Sequence, residues 1–371
     1  MREDKQRNKS RKWRIVSIVA AVALLLCVSV VGVIRHYLNM IDRYGADDDY
    51  TMSAEQIHQM EQEVIRQERE ESIAASIEAE KWAATATTAA PEVETTPPTE
   101  PTPPPTEAPT EPEEQTEPTQ PKVYEVVNFL LIGQDRRDSS SRGRSDSMIL
   151  CSFDRTNNTI TLTSFMRDLY VKIPGYEDNR LNAVYPIGGM KLLNTTLLEN
   201  FGVEGDANIV VDFNGFEEIV VAMGGVDIDM TRAEVAHLAE FYDYHHLVPG
   251  INHLSGEEAL AYSRIRYIDS DFQRTGRQRT VLNALIESIR EANMVQMLSL
   301  VEKALPLIKT DMTDNQIVEY VLDFYPMLID CEIVSQRVPA DYGFEEAEIR
   351  DMAVIIADPD ATRALLEDIT K

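Results

Sequence analysis

Residues 147–168 read SMILCSFDRTNNTITLTSFMRD, and this stretch decides what kind of fold follows. SMILCSFD and TITLTSFM are short apolar runs rich in β-branched and aromatic residues, and RTNN between them carries turn residues, so the pattern predicts two strands joined by a hairpin. VVNFLLIG, from Val126, reads as a buried strand before them. If it pairs antiparallel with SMILCSFD, its C-terminal end lies beside the start of the next strand, and the hairpin returns the third strand to the same end. Asp135, Asp146 and Arg167 then converge at one end of a sheet, with Arg144 and Asp168 beside them.

Downstream, GGMKLLNTTLLENFG has the spacing of an amphipathic helix closing at Gly202. ANIVVDF is strand-like. NGFEEIVVAMGG follows as a helix with Asn214 as its expected N-cap, then VDIDM as a short strand. SGEEALAYSRIR opens a helix with a capping box of Ser255 and Glu258. A long helix is expected from about Asp271 to Ala292, and CEIVSQRVP reads as a late strand. Helices and strands intermix around at least one hairpin, so the expected class is α/β, with helices packed on both faces of a mixed sheet as a three-layer αβα sandwich.

The chain has 371 residues and a formal net charge of −28. That balance excludes an ordinary nucleic-acid binder, because phosphate backbones need a positive surface. Four segments are expected. Residues 1–14 form a basic tail. Residues 15–34, IVSIVAAVALLLCVSVVGVI, are uncharged and long enough to span a bilayer as a helix. The basic residues precede the span, so the tail belongs on the cytoplasmic side and the remainder outside the cell. Residues 35–122 read as a stalk. Its first part, AEQIHQMEQEVIRQEREESIAASIEAEKW, has the composition of a solvated helix, and its second part is rich in Pro, Thr and Glu and cannot bury enough apolar surface to fold. Residues 123–371 are the globular domain. Its two cysteines, Cys151 and Cys331, lie in apolar stretches without any metal or framework spacing; they read as buried free thiols, with a disulfide between them the alternative in an extracellular domain.

Against this acidity, RIRYIDSDFQRTGRQR, residues 264–279, holds five arginines. At about 100° per residue, Asp271, Arg274 and Gln278 share one helical face that continues through Val281, Leu282 and Leu285. The polar trio therefore points inward at a helix start, where charge needs a partner or a ligand and anions are favoured. Arg277 and Arg279 fall off this face and read as surface residues. Arg264 and Arg266 end the preceding helix, where cations are favoured even without a ligand. Arginine forks grip phosphate bidentately. Two carboxylates nearby, Asp135 and Asp146, suit magnesium shared with phosphate oxygens, with manganese as the alternative ion. The same residues also suit a plain set of surface ion pairs at strand ends, and spacing alone does not separate the two.

At these residues the chain resembles the LytR-CpsA-Psr family of bacterial cell-envelope proteins. The matching segments, in order between Asn128 and Ile289, are NFLLIGQD, GRSDSMIL, SFMRDLYVKIPG, LNAVYPIGG, VVDFNGFEEIVVAMGGVDIDM, HLSGEEALAYSRIR and DFQRTGRQR. The resemblance implies an α/β sandwich with an apolar pocket for a polyprenyl chain. It also implies transfer of a glycopolymer, of teichoic acid or capsular type, from a polyprenyl-pyrophosphate carrier to peptidoglycan through a phosphodiester. Carried over by position, Asp135 and Asp146 match the metal-binding carboxylates. Arg144, Arg167, Arg264, Arg266, Arg274 and Gln278 match the polar set around the pyrophosphate, and Asp271 matches the acidic residue that supports the arginines. The chain departs from the family in SFMRD, where a proline commonly precedes the arginine, and at Gln134. Two other readings use the same residues: a hydrolase that directs water to the pyrophosphate lipid, and a lipid-binding scaffold without catalysis.

Overall fold

The computed structural model describes residues 35–45, 50–86, 126–135, 142–266, 268–292 and 294–369. The basic tail, the apolar stretch at 15–34 and the Pro/Thr/Glu-rich tract lie outside the described residues. Among the described residues, no helix is long and apolar enough to cross a membrane. The chain divides into two units, residues 58–125 and the remainder. The first is described as far as Ala86, as most of a helix α1 (Ala54–Ala86). On its surface Arg66 pairs with Glu63 and Glu70, one turn away on either side.

The second unit is built on a seven-stranded mixed sheet. Strand β1 (Asp42–Arg43) precedes α1. β2 (Val126–Asp135), β3 (Arg144–Asp154) and β4 (Thr159–Phe165) form an antiparallel meander, with Asn158 in the left-handed region (φ 52°) closing the hairpin. Short strands β5 (Tyr170–Val171) and β6 (Asn179–Arg180) pair with each other and lead into α2 (Val184–Phe201). Then come β7 (Ala207–Asp212), α3 (Phe213–Met223), β8 (Val226–Met230), α4 (Arg232–Tyr242), β9 (Gly250–Leu254) and α5 (Gly256–Ser263). The last stretch holds α6 (Asp271–Glu291), α7 (Met294–Ala304), β10 (Lys309–Thr310), α8 (Asp314–Leu328), β11 (Glu332–Val338), the hairpin β12 (Phe344–Ile349) and β13 (Met352–Ala357), and α9 (Pro359–Leu366). The sheet order is β1-β10-β7-β2-β3-β4-β11.

Side-chain alternation along β2 and β3 explains why both sheet faces are covered. Phe129 opposes Cys151 and Leu131 opposes Ile149, so these share one face. That face packs with Ile286 of α6, Phe324 and Met327 of α8, and Cys331. Phe129 meets Phe324 edge-on at 5.9 Å between ring centroids. Leu130 opposes Leu150 and Ile132 opposes Met148 on the other face, all buried, where α2 packs on β3. The expected class, α/β with helices on both faces of a mixed sheet, is what the strands build. Cys151 and Cys331 are buried free thiols on the first face. Burial pushes the Cys151 thiol up to about 12.

Three local expectations need correction. Residues 42–43, read as the beginning of a stalk, pair in parallel with Lys309–Thr310 at the sheet edge. Arg43 holds them there by donating to the Met312 carbonyl and to Asp314 at 2.6 Å. The N-cap of α3 is Asp212, whose carboxylate accepts from Gly215 N at 2.8 Å, and Asn214 lies inside the helix. A carboxylate two residues earlier reaches the free N–H groups first. Finally, α2 is kinked at Gly188 and Gly189. Gly189 takes φ 67°, and a Cβ there would strike the Arg142 guanidinium and the Tyr44 hydroxyl.

Candidate active site

The meander brings its chemistry to one sheet end. Asp135, the last residue of β2, opposes Arg144, the first of β3. The register then slips by one: Gln134 opposes Ser145 but Gly133 opposes Ser147, leaving Asp146 as the extra residue of a β-bulge. Strand alternation alone does not fix where such a residue points. The Arg167 guanidinium, two residues beyond the end of β4, donates from Nη1 to Asp146 Oδ1 at 3.2 Å. Its Nε lies 3.4 Å from Asp168 and 4.0 Å from Asp271.

α6 delivers the other half. It starts at Asp271 and packs on the end of β4, where Thr275 meets the sulfur of Met166. Arg274 is only 4% exposed and donates from Nη2 to Asp271 Oδ2 at 2.9 Å, while its Nε is buried with no acceptor among the described residues. Arg266 approaches the other oxygen of Asp271 at 3.9 Å. Asp271 is thus a hub for Arg167, Arg266 and Arg274, with Asp146 one guanidinium further on.

Electrostatics follow from this crowding. Burial would raise the Asp146 carboxyl, but Arg167, Arg144, Arg274 and Arg266 outweigh it and hold it below the usual carboxylate range. Burial, and then the neighbouring Arg167, push the Arg274 guanidinium down to about 10, against the opposing pull of Asp271. Arginines close enough to depress one another, with a buried N–H left over, form a site that gains when an anion enters.

Not every arginine of the 264–279 stretch joins this cluster. Arg264 is exposed and lies over the Phe213 ring at 4.8 Å, at the start of α3. Gln278 is half-buried one turn beyond Arg274. The expectation for Arg277 and Arg279 is overturned. Arg277 is 5% exposed, bonded to Glu234 at 2.8 Å, to the Ile265 carbonyl at 3.0 Å and to Asp269. Glu234 also completes the capping box of α4 with Thr231. Arg277 therefore clamps α4 and the 265–269 loop to α6, and this loop carries Arg266. Arg279 is partly buried and donates to Ser164 of β4 at 2.7 Å. Sequence periodicity ranked both by helical face alone, whereas their partners come from elements on other sides of α6.

Arg180 was missed. It is 3% exposed and bonded to Asp168 at 3.3 Å, and the segment that carries it runs beside Arg167, whose carbonyl accepts from Asn182 N. The signal was present in DNRLNAVY, where a basic residue directly precedes the LNAVYPIGG segment.

A mixed-sheet α/β domain with guanidiniums gathered around half-buried aspartates at one sheet end belongs to a class of protein suited to hold a strongly anionic group. The model of the LytR_cpsA_psr family matches residues 103–356, and the chain belongs to that family. It is 33% identical over 225 residues to the polyisoprenyl-teichoic acid–peptidoglycan teichoic acid transferase TagU of Bacillus cereus, covering 58% of this chain and 70% of that one. It is 30% identical over 224 residues to the regulatory protein MsrR of Staphylococcus aureus, covering 59% and 66%. Among solved structures, TagT bound to LI-WTA superposes with a TM-score of 0.55 at 24% identity, over 69% of this chain and 94% of that one. TagT with bound octaprenyl pyrophosphate lipid superposes with a TM-score of 0.52 at 22% identity, over 69% and 94%. The structural likenesses establish the shared fold.

Proposed function

We propose that this chain transfers an anionic glycopolymer, of wall teichoic acid or capsular type, from a polyprenyl-pyrophosphate carrier to peptidoglycan. The observation that carries the reading is the Asp146–Arg167–Asp271–Arg274 chain of contacts, which leaves the buried Arg274 Nε with no acceptor among the described residues. The names of the relatives support it, since TagU is called a teichoic acid transferase and TagT is described with a bound polyprenyl pyrophosphate.

In this reading Arg144, Arg167, Arg266 and Arg274 bind the pyrophosphate, with Arg264 and Gln278 at its edge, and Asp271 keeps the forks aligned. An acceptor hydroxyl attacks the phosphorus that bears the glycan. The new P–O bond forms as the bond to the polyprenyl phosphate breaks, and the hydroxyl proton passes to a carboxylate of the site. The arginines stabilise the charge that spreads over the phosphoryl oxygens and the leaving phosphate.

Asp135 and Asp146 fit magnesium, or manganese, by donor chemistry: both are hard oxygen ligands on adjacent strands at one sheet end. Among the described residues no three His, Cys, Asp or Glu are grouped to hold a metal. Two protein carboxylates with water and phosphate oxygens completing the shell is the usual magnesium arrangement. When bound, the ion supplies positive charge to the phosphate oxygens.

The same reading makes residues 15–34 a membrane anchor with the basic tail in the cytoplasm, residues 87–122 an extended spacer, and the catalytic domain extracellular. An anchor keeps the domain beside a lipid-borne donor, and a spacer lets it reach the wall.

The test is full-length protein with labelled polyprenyl-pyrophosphate glycan, peptidoglycan and magnesium. Label on peptidoglycan, lost with Arg274→Ala, is the expected result. Release of free glycan without coupling would make the chain a hydrolase. Lipid binding without turnover would make it a scaffold.

A further inference from the structure

On the far side of α6 from Arg274 lies a separate cavity of about 580 Å3, lined by Asp229, Asp269, Arg279, Asn283 and Ser335 among others. Its floor holds an unusual arginine. Arg279 has one bond, to Ser164 Oγ, and among the described residues no carboxylate pairs with it. Its Nε is buried without an acceptor among the described residues. Ser164 opposes Arg337 in the β4–β11 ladder, so a second guanidinium lies alongside, itself tied to Asp341. Burial, and then Arg337, push Arg279 down to about 10. A desolvated guanidinium without a counter-ion is costly, and an entering anion relieves that cost.

The rest of the cavity asks for the opposite charge. Asn283, one turn beyond Arg279 on the same helix, leaves its buried Oδ1 without a donor. At the rim Asp229 is exposed and makes no ion pair among the described residues, and Asp269 shares Arg277 with Glu234, so that group carries a surplus negative charge. A cationic floor, an unmet acceptor and an anionic rim suit a ligand that carries both a carboxylate and an amine. They disfavour a polymer of phosphates, which the rim repels.

We propose that this cavity binds the peptide portion of the peptidoglycan acceptor, with a stem carboxylate on Arg279 and a stem amine at Asn283 and Asp229. The proposal rests on the transfer reading above and adds to it a place for the acceptor. Helix α6 then separates the two substrates, with Arg274 turned to the donor pyrophosphate and Arg279 to the acceptor peptide.

The experiment titrates full-length protein in detergent micelles with four probes: a peptidoglycan disaccharide-peptide, the same with its amine acetylated, the disaccharide without peptide, and inorganic phosphate. Wild type is expected to bind the disaccharide-peptide, and Arg279→Gln to weaken it at least tenfold without changing disaccharide binding. Asp229→Asn, on the exposed rim, is expected to weaken only the probe with a free amine. Arg279→Gln removes an unpaired desolvated charge, so its thermal midpoint should equal or exceed that of wild type. Equal peptide binding by wild type and Arg279→Gln, no binding of any peptide probe, or displacement of the peptide probe by inorganic phosphate would each overturn the proposal. Binding of the polyprenyl-pyrophosphate donor is measured in parallel and should be the same in Arg279→Gln. If wild type takes up peptide but never donor, the transfer reading fails while the cavity assignment stands.

Discussion

The Asp271 carboxylate at the first residue of α6 accepts from Arg274, three residues later, at 2.9 Å, and stands between that arginine and Arg167 of the meander. A helix start and a strand end are thus joined through one carboxylate. Arg274→Ala should lower transfer about a hundredfold or more, in line with losing one preorganised donor to a developing anion. Its thermal midpoint should hold, because a crowded guanidinium is removed. Asp271→Asn should be milder, about tenfold and mainly in donor KM, since it loosens the forks without deleting one. Steady-state kinetics with both variants measures this, and equal losses in the two would contradict the hub role.

Arg277 lies one turn from that pair and has a different task. Arg277→Ala would leave Glu234 buried without its guanidinium, costing about 3–5 kcal/mol of stability. Denaturant unfolding should show that loss. Activity should fall only in proportion to unfolded or loosened protein, because the contact of Arg277 with the 265–269 loop positions Arg266 without touching donor.

Asp135→Asn and Asp146→Asn should each raise the magnesium concentration needed for half-maximal transfer, about tenfold or more, while excess metal restores part of the rate. A flat metal response in both variants would remove these residues as ligands.

His237 supplies the pH prediction. It is 5% exposed and packs on Phe241 at 4.5 Å. Burial, with Arg277 adding to it and Asp269 opposing, pushes its imidazole down to about 4. The folded chain therefore keeps it neutral, whereas the unfolded chain binds a proton below about pH 6.5. Stability should therefore fall as pH drops below about 6.5 and level off near 4, by about 3 kcal/mol at most. His237→Gln should flatten that part of the curve of thermal midpoint against pH.

Much of the fold was legible because it is local. The alternation in VVNFLLIG and SMILCSFD, the turn at RTNN and the capping box at Ser255 each record their structure within a few residues. Hairpin geometry predicted that Asp135, Asp146 and Arg167 share one sheet end with Arg144 beside them, and there Asp135 opposes Arg144 while Arg167 donates to Asp146. Strand β1 was not legible, because two polar residues hold no periodicity and are captured by Thr310, Met312 and Asp314 more than 250 positions away.

Local sequence carried the class of fold and the inward face of α6 with Asp271 and Arg274, since hydrophobic period and charge type are properties of neighbours along the chain; the family was legible only as a resemblance, through the ordered set of motifs from NFLLIGQD to DFQRTGRQR. The partners of individual arginines were set by folding. Arg277 became a buried clamp because Glu234, 43 residues earlier, reaches it. Arg180 joined the site through Asp168, Arg264 moved to the ring of Phe213, and Arg279 was half-buried with no carboxylate to meet it among the described residues. A guanidinium's role is set by which oxygens surround it, and those come from parts of the chain that only folding brings together.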